Sequence, residues 1–250
     1  MMVQPLPGEP AATVDYGTER ALVAADYHAG LEVALRRDGV ELRSAADERR
    51  ERLVRLVDRE RPDRVVLLGD VANAIGEPGD EERAELDALF EALTERAPVT
   101  VAKGNHDGAL GEVVAALGYE DVTVSDGPGV RIGSVGFAHG HTWPARDCIE
   151  ASTLCVAHEH PQVRLEDEVG GGRAERVWLR GQLNPGAFAD RFDDLDVDCG
   201  LVVFPAFNDR VGGTWVNESD GFLSPFLPAG LSGGEAYLLD GTRLGDYRRV

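Results

Sequence analysis

All six histidines of the 250-residue chain sit just beyond short apolar runs. The segments read AADYHAG (Asp26, His28), AKGNHDG (Gly104 to Asp107), FAHGHTWP (His139, His141) and VAHEHPQV (His158, His160). A fifth, LLGDVAN (Gly69, Asp70, Asn73), has the same form without a histidine. One histidine ending an apolar strand is usually a hydrogen-bonded core residue. Six of six in such places, accompanied by aspartate and asparagine, do not fit that account. In an open α/β sheet the loops beyond the carboxyl ends of neighbouring strands converge on one crevice, so these five segments are expected to meet. Imidazole, carboxylate and amide oxygen suit borderline divalent metals such as Mn, Fe, Zn or Ni, and the absence of cysteine from the segments argues against a structural zinc site. Seven such groups are too many for one ion and about right for two ions sharing a carboxylate.

The spacing of apolar residues supplies the frame for such a crevice. Ala21 to Ala25, Arg64 to Leu68 and Val99 to Ala102 read as buried parallel strands. Between them, Ser44 to Glu60 and Asp80 to Arg96 place leucines on one face and charges on the other, as crossover helices do. After Leu117 the runs shorten: Val122 to Val124, Ser134 to Ala138, Thr153 to Ala157, Arg176 to Leu183, Leu201 to Phe204, Ala236 to Leu239 and Thr242 to Tyr247 all read as strands. Asp240-Gly241 predicts a two-residue type I′ hairpin turn, and Gly170 to Gly172, beside the acidic Glu166 to Glu168, an exposed turn.

Charge limits what such a protein can bind. With 45 acidic and 25 basic residues the formal charge is −20, which excludes a basic nucleic-acid-binding surface. Lys103 is the only lysine. Acid excess with almost no lysine points to a salt-adapted, halophilic cytoplasm, because strong salt cuts the Debye length to roughly 3 Å and screens carboxylate repulsion. Arginine-rich codon bias is the plainer alternative. The longest charge-free stretches, Ile132 to Ala145 and Gly221 to Gly234, contain 14 residues each with Pro and Gly among them, too short for about 30 Å of hydrocarbon. No secretory signal is visible at the N-terminus, so a cytoplasmic location is expected. Cys148, Cys155 and Cys199 form no metal or disulfide pattern and read as reduced, buried residues.

The order D-x-H, GD, GNHD, HGH and H-x-H over Ala21 to Val163 resembles the calcineurin-like metallophosphoesterase superfamily. PQVRL after the H-x-H element and FPAFNDRVGGTWVN at Phe204 to Asn217 resemble the archaeal ICC-like phosphoesterases, relatives of the bacterial DNA ligase-associated metallophosphoesterase. The resemblance implies an α/β chain folded as a four-layer αββα sandwich of two mixed sheets. It would be a single domain over residues 1–250, with residues 174–250 completing the second sheet. It further implies that Asp26, His28 and His160 bind one metal, that Asn105, His139 and His158 bind another, and that Asp70 bridges them. The expected ions are two divalent cations, manganese first and Fe, Zn or Ni as alternatives. His106 would contact the phosphate or the leaving group without binding metal, with Asp107 orienting its ring. His141 either touches substrate or hydrogen-bonds a ligand, and Asn73 and Asn208 are further candidate substrate contacts. GDVAN departs from its relatives at Ala72 and Asn73, and Ala157 replaces a common glycine. Arg164, Arg173, Arg176, Arg180 and Arg210 are available for phosphate.

Two cations roughly 3.5 to 4 Å apart would lower the pKa of a bridging water and neutralise phosphate oxygens during in-line displacement. Being the strongest local charges, they would also let an acidic protein admit an anionic ester. The expected activity is hydrolysis of phosphodiesters in nucleotides or short nucleic acids. A phosphomonoesterase is the alternative, and a silent scaffold a remote one. By analogy alone, the partners would lie in DNA repair.

Overall fold

The computed structural model describes residues 2–166, 171–195, 197–218 and 221–250. Its first sheet runs in spatial order β1 (Val3–Pro5), β2 (Ala11–Asp15), β3 (Arg20–Ala24), β4 (Arg64–Leu67), β5 (Val99–Val101) and β6 (Val122–Val124). The first three strands are antiparallel, and β3 to β6 are parallel. Parallel neighbours need long crossovers. These are α1 (Leu31–Arg37) and α2 (Ala46–Glu60), then α3 (Asp80–Thr94), then α4 (Leu110–Leu117). α2 buries Leu53, Leu56 and Val57, and α3 buries Leu86, Leu89, Phe90 and Leu93, against the outer face of this sheet.

The second sheet takes β7 (Val130–Ile132), β8 (Val135–Phe137), β9 (Thr153–Val156), β10 (Gln162–Glu166), β11 (Gly172–Leu183), β12 (Gly200–Val203), β13 (Leu231–Leu238) and β14 (Arg243–Asp246). Their order is β14-β13-β11-β12-β9-β8-β7, with β10 on the first half of the long β11. The pairs β8/β9 and β9/β12 are parallel and the remainder antiparallel, so this sheet is mixed as well.

The two sheets pack face to face. Val14, Val23, Val66 and Leu68 of the first meet Phe137, Cys155, Trp178 and Phe204 of the second in one buried cluster. On the far side of the second sheet, α5 (Arg146–Ile149), short 3-10 turns at Pro185–Phe188 and Tyr247–Arg249, and Phe226 form the fourth layer. All three cysteines are free and buried. No described helix is long and apolar enough to cross a membrane.

The last hairpin differs from the expected turn. A type I′ turn needs positive φ at both central residues. Here only Gly241 is left-handed, at φ 92°, while its amide bonds Leu238 O and the Leu238 amide bonds Thr242 O. The loop is therefore a three-residue turn closed by a glycine bulge, and Asp240 caps it by accepting from the Thr242 amide. Of the turn expected around Gly170 to Gly172, Gly170 and the adjacent acids at 167 and 168 lie outside the described residues, and Gly172 opens β11.

Candidate metal centre

Short backbone bonds bring the five segments together. The amides of Asp26, His28 and Ala29 donate to the carbonyls of Gly69, Asp70 and Val71, which zips the loop after β3 to the loop after β4. Across the sandwich, Phe207 and Asn208 donate to Ala25 and Asp26, and within the second sheet Ala157 donates to His139 O. Two glycines permit the close approach. A Cβ on Gly69 would lie 2.6 Å from the His139 ring, and one on Gly104 would lie 2.2 Å from Asp70 Oδ1. Asp26, His28, Asp70, His158 and His160 are all left-handed, at φ between 44° and 70°. A side chain in that conformation costs about 1–2 kcal/mol, and such residues concentrate where function demands them.

Two triads result. Asp26, His28 and His160 offer ligand atoms within 4.8 Å of one another, and so do Asp70, His139 and His158. Asp70 lies between them. Its Oδ1 accepts the His106 amide, while Oδ2 is 3.3 Å from His139 Nε2 and 3.9 Å from His28 Nε2. Asp26 Oδ1 is 3.2 Å from His160 Nε2. The rings are oriented from behind: His139 Nδ1 donates to Leu68 O and His160 Nδ1 to Gly212 O, each at 2.7 Å, which leaves both Nε2 atoms facing inward.

The polar atoms at the centre lack partners. Both oxygens of Asp26, both nitrogens of His28, and Nε2 of His139 and His160 are buried and unbonded. Asp26 itself is 0 % exposed. Buried polar groups are nearly always satisfied, and a carboxylate without a partner is costly, so this convergence of acceptors and lone pairs fits divalent cations.

The titration of the site follows from the same geometry. Burial pushes His28 and His158 down to about 4. For His139 and His160 burial acts in the same direction but is outweighed, by Asp70 and Asp26 for the first and by Asp26 for the second, and both rise to about 9. Burial would raise the Asp70 carboxyl, but His139 and the His106 amide hold it well below the ordinary carboxylate range.

The remaining predicted residues take varied places. Asn105 is exposed, in the loop between Gly104 and His106. The His106 ring meets His28 edge to face at 5.2 Å, with Nε2 3.9 Å from Asp70 Oδ2. Its Nδ1 bonds the carbonyl of Asn73, so the backbone of Asn73, and not Asp107, orients the ring. Asp107 does not orient that ring. It is fully buried, accepts the amides of Val71, Ala72 and Gly104, and clamps the loops after β4 and β5 to each other. Burial, the largest influence, pushes it up to about 6 against these amides. His141 packs 5.5 Å from the His139 ring and 6.2 Å from His158, and its pKa is lowered by burial and by His139. Asn208 is buried, with its carboxamide spent on Tyr27 O and the Arg210 amide.

Most of the arginines considered for phosphate already have acidic partners: Arg164 with Glu166 and Glu218, Arg173 with Glu175, Arg176 with Asp209, and Arg210 with Glu32. Arg180 donates to Val3 O. Two supports have no sequence signal at the level of motifs. Arg49 is buried over the Tyr27 ring and binds Glu32 and Glu85, and Glu85 in turn accepts the Gly30 amide. Glu159, in the middle of H-x-H, is fully buried and accepts from Leu223, Ser224 and Thr214.

The sequence profile described as Calcineurin-like phosphoesterase matches residues 19–199. Among solved structures, the crystal structure of Pseudomonas putida nuclease MPE aligns with a TM-score of 0.60 at 19% identity, covering 97% of this chain and 100% of that one. Yfce, a phosphoesterase from E. coli, aligns at 22% identity over 59% of this chain and 73% of its own, with a TM-score of 0.35. The first likeness is one of fold, and the second is too low to carry an argument. No curated protein sequence matches the chain.

Proposed function

The chain belongs to the calcineurin-like phosphoesterase family, metal-dependent hydrolases of phosphoric esters, and on that premise we propose a dinuclear site in which Asp70 is the shared ligand. Asp26, His28 and His160 hold one divalent cation, and Asn105, His139 and His158 hold the other. The observation that carries this reading is the set of buried, unbonded oxygens and nitrogens converging from Asp26, His28, His139 and His160. When bound there, two ions would supply charge for the phosphate oxygens and lower the pKa of a water. The carboxylate, imidazole and amide donors suit manganese, with Fe, Zn and Ni as competitors.

The side chains do the rest. Asp70 Oδ1 accepts the His106 amide, and Oδ2 would be the oxygen free for the ions. His106 Nδ1–H is committed to Asn73 O, so its Nε2 carries a proton only when the ring is charged, and that proton lies on the side facing Asp70. We assign His106 to the leaving oxygen or the transition-state phosphate, His141 to the substrate side of the second triad, and Asn208 to holding the loop after β3. The preferred substrates are phosphodiesters of nucleotides or short nucleic acids. The nuclease of like fold supports this choice, and a chain of charge −20 lacks the field to hold long polyanions.

The test is metal analysis joined to a hydrolysis screen of diesters and monoesters with Mn, Ni, Zn and Mg at molar salt. Two ions per chain and diester turnover are expected, with Asp70→Asn losing metal and turnover while remaining folded. Full activity of that variant with two ions bound would overturn the shared-ligand assignment.

A further inference from the structure

Beside His160 the surface opens into a cleft of about 460 Å³, within the range of small-ligand sites. Its walls include His160, Thr214, Trp215, Glu218 and Leu223, so it borders the first triad at His160. Trp215 is 38 % exposed and Leu223 60 %, and these are two of only four large hydrophobics left exposed among the described residues. An indole held at the edge of a metal site presents a flat apolar face where a substrate's remainder would lie.

The platform is rigid. The Gln162 amide donates to Thr214 O, the Val216 amide to Gln162 O and the Thr214 amide to Glu159 O, so the residues on both sides of Trp215 are tied to the H-x-H loop and the start of β10. Gly213 allows this contact, since a Cβ there would lie 2.1 Å from His160 O. The rim charge, Glu218, lies 3.6 Å from Arg164, so the cleft carries no positive surplus for a second phosphate. Such walls suit a neutral, planar, aromatic group better than a polyphosphate.

We propose that this cleft is a nucleobase subsite, with Trp215 stacking on the base of a nucleotide whose phosphate lies at the metal centre. The inference rests on the metal-centre reading above and adds what the substrate carries. Base–aromatic stacking is strong enough that its loss weakens binding by about tenfold or more.

The experiment measures, by calorimetry on metal-loaded protein at molar salt, the affinities for adenosine 5′-monophosphate and for inorganic phosphate in the parent, Trp215→Ala and Trp215→Phe. The parent is expected to prefer the nucleotide. Trp215→Ala should cut that preference about tenfold, and Trp215→Phe, which keeps a ring, should retain most of it. An unchanged preference in Trp215→Ala while phosphate still binds overturns the base subsite alone. Failure of phosphate itself to bind the parent overturns the metal-centre reading and this one with it.

Discussion

Glu159 offers the sharpest test of how the scaffold holds the metal centre. It stands between His158 and His160 with no solvent exposure. Its Oε1 accepts the Ser224 amide at 2.7 Å and the Leu223 amide at 3.1 Å, and its Oε2 accepts Leu223 at 3.0 Å and the Thr214 hydroxyl at 3.1 Å. Truncation to alanine removes all of these acceptors at once. The amide of Ser224, a residue only 3 % exposed, is then left unsatisfied, while Leu223 regains water. Hydrogen bonds to a charged group contribute about 1.5–3 kcal/mol and a stranded buried donor costs about 1–3 kcal/mol, so Glu159→Ala should lose about 3–5 kcal/mol. Glutamine keeps one carbonyl for Ser224 and Leu223, and its NH2 can donate to Thr214 Oγ, which accepts as well as it donates. Glu159→Gln should therefore lose only about 1–2 kcal/mol. In a chain of this size each kcal/mol lowers Tm by roughly 2–4 °C. Thermal unfolding with parallel metal analysis at molar salt reads both effects. Alanine should also empty the first triad, since the segment from Gly212 to Thr214 that backs His160 is anchored by this carboxylate. Equal losses for alanine and glutamine, or full metal content in alanine, would refute the argument.

His106→Gln should keep both ions yet slow turnover about 10²- to 10⁴-fold, more on a nucleotide ester than on a nitrophenyl ester, because only the alkoxide needs a proton; equal losses on both would point to phosphate stabilisation, and a missing ion would remove the non-ligand assignment. His139 and His160, pushed up to about 9, hold protons in the metal-free chain at pH 7 to 8, so metal uptake there should release about two protons, fading above pH 9; calorimetry in buffers of different ionisation enthalpy counts them. The sign for stability is the same: this protonation stabilises the metal-free fold fully below the ordinary histidine value of about 6.5, and the gain is lost as pH rises through about 9. If the −20 charge reflects salt adaptation, Tm should fall as salt drops below a few tenths molar, and a Tm flat from dilute buffer to about 2 M would favour codon bias.

Much of the centre is legible in the chain because its residues lie at strand ends, where local pattern and chemistry coincide. The glycines of GD and GN have a physical reason visible only in three dimensions, the approach of His139 to Gly69 and of Asp70 to Gly104, yet their positions mark the turns in advance. What could not be read is whatever depends on distant partners. Arg49 meets Glu32 and Glu85 across 17 and 36 residues, and no periodicity of α2 announces a buried guanidinium. Asp107 looks like the natural support for its neighbour His106, but its carboxylate turns away to three amides. α1 and α4, at 7 and 8 residues, are too short to show a helical stripe, β1, at 3 residues, is too short to show alternation, and β2 buries Ala11 to Val14 in a row and so does not alternate.

The strain at the centre argues that the fold makes the site and that the ions do not make the fold. Five candidate ligands in left-handed backbone together cost on the order of 5–10 kcal/mol. A loop free to relax would abandon such a geometry. These loops cannot, because each is bonded on both flanks: the β3 loop to Gly69, Asp70 and Val71 on one side and to Phe207 and Asn208 on the other, and the H-x-H loop through Glu159 and Gly212. The cost is met by the sandwich core and the Arg49 network beneath, which lie outside the ligand shell. Residues that touch no ligand directly, Asp107, Glu159 and Arg49, therefore decide whether the ligands stay in place.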